Sequence, residues 1–139
     1  MASLVWSGLS ELKADLRNLP HELAGEANHI VQAAANRAEA DARAAYPVRT
    51  GNLRDGMQQQ VTDESEFGVS IRVKNTAHHA WIFEYGTQAR HHGLKTWGPM
   101  PAGNVFVPAM EKNRRWMYDE LTLMLLRHGL GVQGDARAA

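Results

Sequence analysis

The chain has 139 residues, 44% of them hydrophobic and 22% charged, which suits one soluble domain with a modest core. Its 15 basic residues balance 15 acidic ones, so no global field draws it to nucleic acid or to an anionic membrane. It has no cysteine, which excludes disulfides, thiolate nucleophiles and cysteine-ligated zinc or iron–sulfur sites.

No apolar run approaches the roughly eighteen residues of a membrane span and no signal peptide is visible, so the chain is expected in the cytoplasm of its producing cell or in a particle assembled there. Met1 to Trp6 reads as a short strand or a frayed end. Ser7 is placed to cap a helix over Leu9 to Arg17, where Leu9, Leu12, Leu16 and Leu19 recur at helical spacing. Pro20 is expected to end that helix, with Asn18 capping the next.

The second predicted helix runs from His21 to Ala45, with Leu23, Ala27, Ile30, Val31, Ala34, Ala38 and Ala45 on its apolar face. Alanine gives it strong intrinsic propensity but a thin face, suited to close approach by a sheet or a partner subunit. Tyr46-Pro47 ends it. Val48 to Gly56 has turn chemistry at both ends, and Thr50 is placed to cap one helical turn carrying Leu53.

Met57 to Thr62 and Gly68 to Asn75 read as a β-hairpin, with Asp63 to Glu66 as its polar connection. The second strand alternates Val69, Ile71 and Val73 against Ser70, Arg72 and Lys74. Its partner is weaker in pattern, because glutamine has little strand preference. Ala80 to Tyr85 follows as a short aromatic helix, halted by Gly86-Thr87.

Gln88 to Asn104 is a polar run with three Gly, two Pro, Arg90, Lys95 and a histidine pair. A loop of that length is uncommon in a small domain unless it binds something or orders on assembly. Trp97, set among Gly, Lys and Pro, has the character of an interface anchor. Gln88, Arg90, His91, His92, Lys95, Trp97 and Met100 are therefore the expected assembly residues. From Phe106 (or Pro108) to Gly129, the positions Phe106, Met110, Met117, Leu121, Met124, Leu125 and His128 specify an amphipathic helix. Residues 132–139 have no pattern and are expected to be a loose tail after a single domain over 1–131.

Helices and strands are segregated rather than alternating, which predicts an α+β fold: an antiparallel sheet packed on a long N-terminal helix and a C-terminal amphipathic helix. The expected core is Leu53, Val69, Ile71, Val73, Trp81, Ile82, Phe106, Met110, Met117 and Leu121.

The chemistry is sparse. His78-His79 and His91-His92 are adjacent pairs whose side chains diverge, with no HExxH-like pattern, so solvated or interface histidines are the default and no metal or other cofactor is expected. The serines occupy no nucleophile elbow, and Gly86, Gly98 and Gly103 lack the spacing of a phosphate cradle. Glu84 reads either as a buried acid or as a partner for a backbone N–H or a basic group such as Arg49 or Arg54. The basic residues are interspersed with acids, which weakens a nucleic-acid stripe. An enzyme is poorly supported.

Three elements together resemble a known pattern. They are Tyr46-Pro47-Val48-Arg49-Thr50-Gly51-Asn52-Leu53-Arg54, then Val73-Lys74-Asn75 with Ala80-Trp81-Ile82-Phe83-Glu84-Tyr85-Gly86-Thr87, then Met100-Pro101-Ala102-Gly103-Asn104-Val105-Phe106-Val107-Pro108-Ala109. In this order and spacing the chain, over about residues 7–125, resembles the neck or tail-completion proteins of long-tailed bacteriophages related to the tenth gene product of the Hong Kong ninety-seven phage. The motif positions are Pro47, Thr50, Gly51, Leu53, Arg54, Ala80, Glu84, Gly86, Thr87, Phe106, Pro108 and Ala109. Asp55-Gly56-Met57 stands where the family has serine–isoleucine, and Ala102 to Val105 splits a proline–phenylalanine pair.

The resemblance implies a non-enzymatic virion protein at the head–tail junction, assembled in the host cytoplasm as a six-fold or twelve-fold homo-oligomeric ring. Its implied neighbours are neck, head-completion, tail-terminator or tail-tube proteins. Genomic DNA would pass through the channel without sequence-specific contact, and no membrane is involved. The alternative is a small stand-alone binding module for nucleic acid or a host protein, with a metal-dependent enzyme third. Self-association separates the first reading from the others.

Overall fold

A computed structural model describes residues 9–65 and 68–130, with side chains from Leu19 onward. The expectations for Met1 to Trp6, for Ser7 as a cap and for the tail over 132–139 lie outside the described residues. One helix, α1 (Leu9–Ala45), replaces the two expected from sequence, and Pro20 lies inside it. Neither Pro20 nor Asn18 therefore marks a helix boundary. An interior proline costs about 3 kcal/mol through one lost backbone donor and a clash with the carbonyl four residues back. Here Pro20 is exposed, and the Leu-, Glu- and Ala-rich turn after it favours helix.

Gly51 (φ 81°) starts the single turn α2 (Asn52–Asp55), which buries Leu53. It is this left-handed glycine, and not Thr50, that occupies the cap position, and no side chain bonds there. The strands β1 (Met57–Ser65) and β2 (Gly68–Asn75) then pair antiparallel, Met57 opposite Asn75 and Ser65 opposite Gly68. Asp63 to Ser65 thus belong to β1 rather than to the connection. The register slips between Val61 and Asp63, a bulge that restores pairing beyond it. Val69, Ile71 and Val73 are half-buried while Ser70 and Arg72 are exposed, as alternation requires.

The weak glutamine strand is held by α1. Gln59 accepts a hydrogen bond from Gln32 (3.1 Å) and donates to Asn36 (3.0 Å), and Arg43 donates to the Met57 carbonyl at 3.0 Å. Tertiary bonds supply what strand propensity does not.

After β2 come α3 (Ala80–Tyr85), the short strands β3 (Arg90–His92) and β4 (Lys95–Trp97), and α4 (Phe106–Arg127). The fold is α+β, as expected. No described helix is long and apolar enough to cross a membrane. The core is Ala42, Tyr46, Leu53, Met57 and Ala109, with Val73, Ala77, Ala80, Phe83, Val105, Phe106 and Met110 packed against it. On α1 the buried small residues are Ala24, Ala34, Ala35, Ala38 and Ala42, whereas Ala45 is exposed. Trp81, an expected core residue, is 69% exposed. The other expected positions Val69, Ile71, Ile82, Met117 and Leu121 are half-buried.

Helix α4 packs antiparallel to α1. At one end Asn113, only 1% exposed, donates to the Asp41 carboxylate (2.9 Å) and the Ala109 carbonyl (2.9 Å) and accepts from Arg37 at 3.4 Å. Lys112 pairs with Asp41 at 3.0 Å, and the Arg37 guanidinium lies 4.3 Å from the Trp116 ring centroid. At the other end Glu26 meets Arg127 (2.6 Å) and His128 (2.8 Å). These polar contacts fix the sliding register that smooth alanine faces leave open.

Candidate assembly surface

Part of the sequence motif meets at one junction, the start of α4, where Glu84 of α3 reaches Phe106 in the turn that also holds Pro108 and Ala109. A helix N-terminus leaves its first backbone N–H groups without intrahelical acceptors. Here the Glu84 carboxylate, 4% exposed and reaching across from α3, takes three of them. Its Oε2 accepts from Val105 N (3.0 Å) and Phe106 N (2.9 Å), and its Oε1 from Val107 N (2.8 Å). The next residue, Pro108, has no N–H to satisfy, so the end of the helix is fully accounted for. A carboxylate there also sits at the positive end of the α4 dipole. Of the partners considered for Glu84, backbone N–H groups win; Arg54 instead pairs with Asp55 at 3.0 Å.

Packing around this cap is tight. Gly103 donates to the Phe83 carbonyl at 2.8 Å, and a Cβ on Gly103 would strike the Phe83 ring. Gly86 holds φ 73°, ψ −173°, a conformation essentially restricted to glycine, and a Cβ there would strike the Met100 carbonyl. Leu53 and Ala109 lie in the core, with Ala80 and Phe106 packed against it. Asn75 ties α2 to the β2 end by donating to the Leu53 carbonyl (2.8 Å) and accepting from Ala77 N (2.9 Å). Burial pushes the Tyr46 phenol up, the Asn75 side chain opposes that, and the nearby Glu84 charge adds to it. Pro47, Arg49 and Thr50 are exposed and, with Gly51, Leu53, His79 and Phe83, line an open groove of about 640 Å³.

From this junction one segment projects. Thr87 and Met100 exchange backbone hydrogen bonds (2.9 and 3.0 Å), closing the base of a small hairpin. Above them β3 and β4 pair antiparallel, Arg90 opposite Trp97 and His92 opposite Lys95. Gly93 (φ 62°) and Leu94 make the two-residue turn. The expected loop is thus partly a hairpin of its own, separate from the β1–β2 sheet. The signal for it was the isolated Gly93 between short runs of strand-compatible residues; read as composition, it merged with the other loop glycines.

Every residue from Gln88 to Pro99 is exposed, and Leu94 at the tip is fully so. Arg90, His91, His92 and Trp97 line one open hollow of about 510 Å³, and His91 Nδ1 lies 3.1 Å from Thr96 Oγ1. Lys95 stands beside them across the strand pair, Gln88 lies near the base, and half-buried Met100 anchors the base rather than facing outward. No acidic residue occurs between Glu84 and Glu111, so the hairpin is locally basic.

A second apolar feature was missed from sequence. Trp81 and Tyr85 pack ring on ring, centroids 5.6 Å apart, on the outer face of α3. In a helix of this length Ala80, Phe83 and Glu84 share one face by i, i+3, i+4 arithmetic, so inward Glu84 forces Trp81 and Tyr85 outward. His78 and His79 are exposed. Among the described residues no three His, Asp or Glu side chains converge as a metal site.

A family model described as "Bacteriophage HK97-gp10, putative tail-component" matches residues 10–86, more than half of the chain. The match ends at Gly86, just before the projecting hairpin. No curated protein and no solved structure matches the chain.

Proposed function

Because the chain belongs to the HK97-gp10-like family of bacteriophage tail components, we propose that it is a non-enzymatic structural protein of the virion, placed at the head–tail junction as a ring-forming neck or tail-completion subunit. Its partners in this reading are further copies of itself and the adjoining neck, head-completion, tail-terminator or tail-tube proteins, with the genome threading the ring without sequence-specific contact. The observation that carries the reading is the β3–β4 hairpin: wholly exposed, tipped by Leu94 and flanked by Trp97, yet mounted beside the hydrogen-bonded Glu84–α4 junction. Exposed apolar groups on a projecting hairpin are what a subunit completed by its neighbours presents.

Gln88, Arg90, His91, His92, Lys95 and Trp97 are the assembly residues of this proposal, with Met100 seating the projection. Electron microscopy of particles containing the chain, with Trp97→Ala and a deletion of residues 91–98 beside it, tests the reading. Trp97 is 49% exposed, so Trp97→Ala is expected to leave the thermal midpoint nearly unchanged while particles lose complete tails. Complete tails without the hairpin, or a chain located away from the junction, refute it. A monomer that binds DNA or a host protein and is missing from particles favours the stand-alone module.

A further inference from the structure

Zero net charge conceals two hairpins of opposite sign. Between Glu84 and Glu111 the only Asp, Glu, Lys or Arg residues are Arg90 and Lys95, both in β3–β4. Between Asp55 and Arg72 the only ones are Asp63, Glu64 and Glu66. Asp63 and Glu64 lie exposed at the far end of β1, opposite Ser70 and Val69. Those two residues stand six and seven positions beyond buried Met57, about 20 to 23 Å along an extended strand. Among the described residues neither Arg90 and Lys95 nor Asp63 and Glu64 form ion pairs within the chain. Each pole also carries exposed apolar surface: Leu94 and Trp97 on the basic hairpin, and Val61, 50% exposed, beside the acidic end.

We propose that the basic β3–β4 hairpin of one copy docks on the acidic far end of the β1–β2 hairpin of the next copy, with Arg90 and Lys95 meeting Glu64, Leu94 covering Val61 on the same face, and Asp63 adding its charge from the other face of that end. This rests on the ring reading above and names the contact that closes the ring. Two different patches on each copy make the contact heterologous, the type that generates a ring when the rotation closes. Exposed ion pairs contribute little affinity, so the charges steer encounter and set register, while desolvation of Leu94 and Val61 holds the contact.

Sedimentation velocity of the full chain, over a concentration series and from about 0.05 to 0.5 M salt, tests this with charge-reversed variants checked for folding by circular dichroism. Wild type is expected to self-associate, with an association constant falling at least about tenfold across that salt range. R90E/K95E alone and D63K/E64K alone should remain monomeric. An equimolar mixture of the two should assemble with alternating copies, and the chain carrying all four changes should assemble by itself. Because the two variants carry opposite net charges and attract each other generally, the discriminating result is assembly of the four-change chain, whose net charge equals that of wild type.

Four results overturn the proposal. If both two-site variants assemble as wild type does, the docking fails and the ring reading stands. If R90E/K95E loses assembly without rescue by D63K/E64K, the hairpin meets something other than the acidic end of a second copy. If wild type stays monomeric at every concentration and salt, self-docking fails, and the virion images decide the ring separately. If wild type binds a DNA duplex of about 40 base pairs through Arg90 and Lys95 while self-association ignores all four changes, the basic hairpin is a nucleic-acid contact.

Discussion

Replacing Glu84 by Gln isolates the cap that mounts the hairpin and starts α4. The two side chains have nearly the same volume, so no cavity term enters. The carboxylate accepts from three backbone N–H groups at 2.8 to 3.0 Å. A carboxamide keeps one oxygen, best placed on the Val105 and Phe106 side, and turns its NH₂ against Val107 N–H. That loses one charge-assisted bond, worth about 1.5–3 kcal/mol, and leaves a buried donor facing a donor. Removing the charge from the positive end of α4 adds about 0.3–2 kcal/mol. The expected loss is about 3 kcal/mol, or roughly 12 °C in Tm at about 4 °C per kcal/mol.

Urea denaturation with Glu111→Gln as the control measures it. Glu111 is exposed on the same helix, and its neutralisation is expected to stay within about 0.5 kcal/mol of wild type. Amide exchange adds a local readout, since protection at Val105, Phe106 and Val107 should fall first. A Glu84→Gln loss no larger than the control's, or unchanged protection at those amides, would refute the capping account.

Asn113→Ala removes the buried amide that joins Asp41, Ala109 and Arg37, so a loss of about 2–3 kcal/mol is expected by the same titration. Gly86→Ala forces a Cβ into the Met100 carbonyl at φ 73°, and a Tm lowered by about 2–3 kcal/mol equivalent is expected; wild-type stability would mean the hairpin base is not closed as described. The Asn113 amide and the Lys112 ammonium hold the Asp41 carboxyl below the usual carboxylate range. A depressed folded pKa contributes stability above the ordinary carboxylate pKa and loses it as pH falls through the folded value. Acid titration of the urea midpoint should therefore fall less steeply in Asp41→Asn than in wild type, with part of the slope remaining because Glu26 is depressed in the same direction by His128 and Arg127.

The elements that the sequence determined are those set by local periodicity and local backbone chemistry. The spacing of Phe106, Met110, Met117 and Leu121 specified α4, the alternation of Val69, Ile71 and Val73 specified β2, and Gly86 stopped α3 because few other residues hold its conformation. The three-part motif was legible as residues but not as a reason, since Glu84 meets its donors 21 to 23 positions away. Only the tertiary structure decided which face turns inward. Periodicity defines a stripe, and long-range partners choose its orientation. Glu84 had to point at α4, which put Trp81 outside; α1 had to meet Tyr46 and Ala109, which buried Ala42 and left Ala45 in water. Pro20 stayed inside α1 against its own propensity, and polar Asn113 went inside because Asp41, Arg37 and the Ala109 carbonyl satisfied it. Propensity rules price a residue against water or an average neighbour; in this fold the actual neighbours differ from that average at those positions.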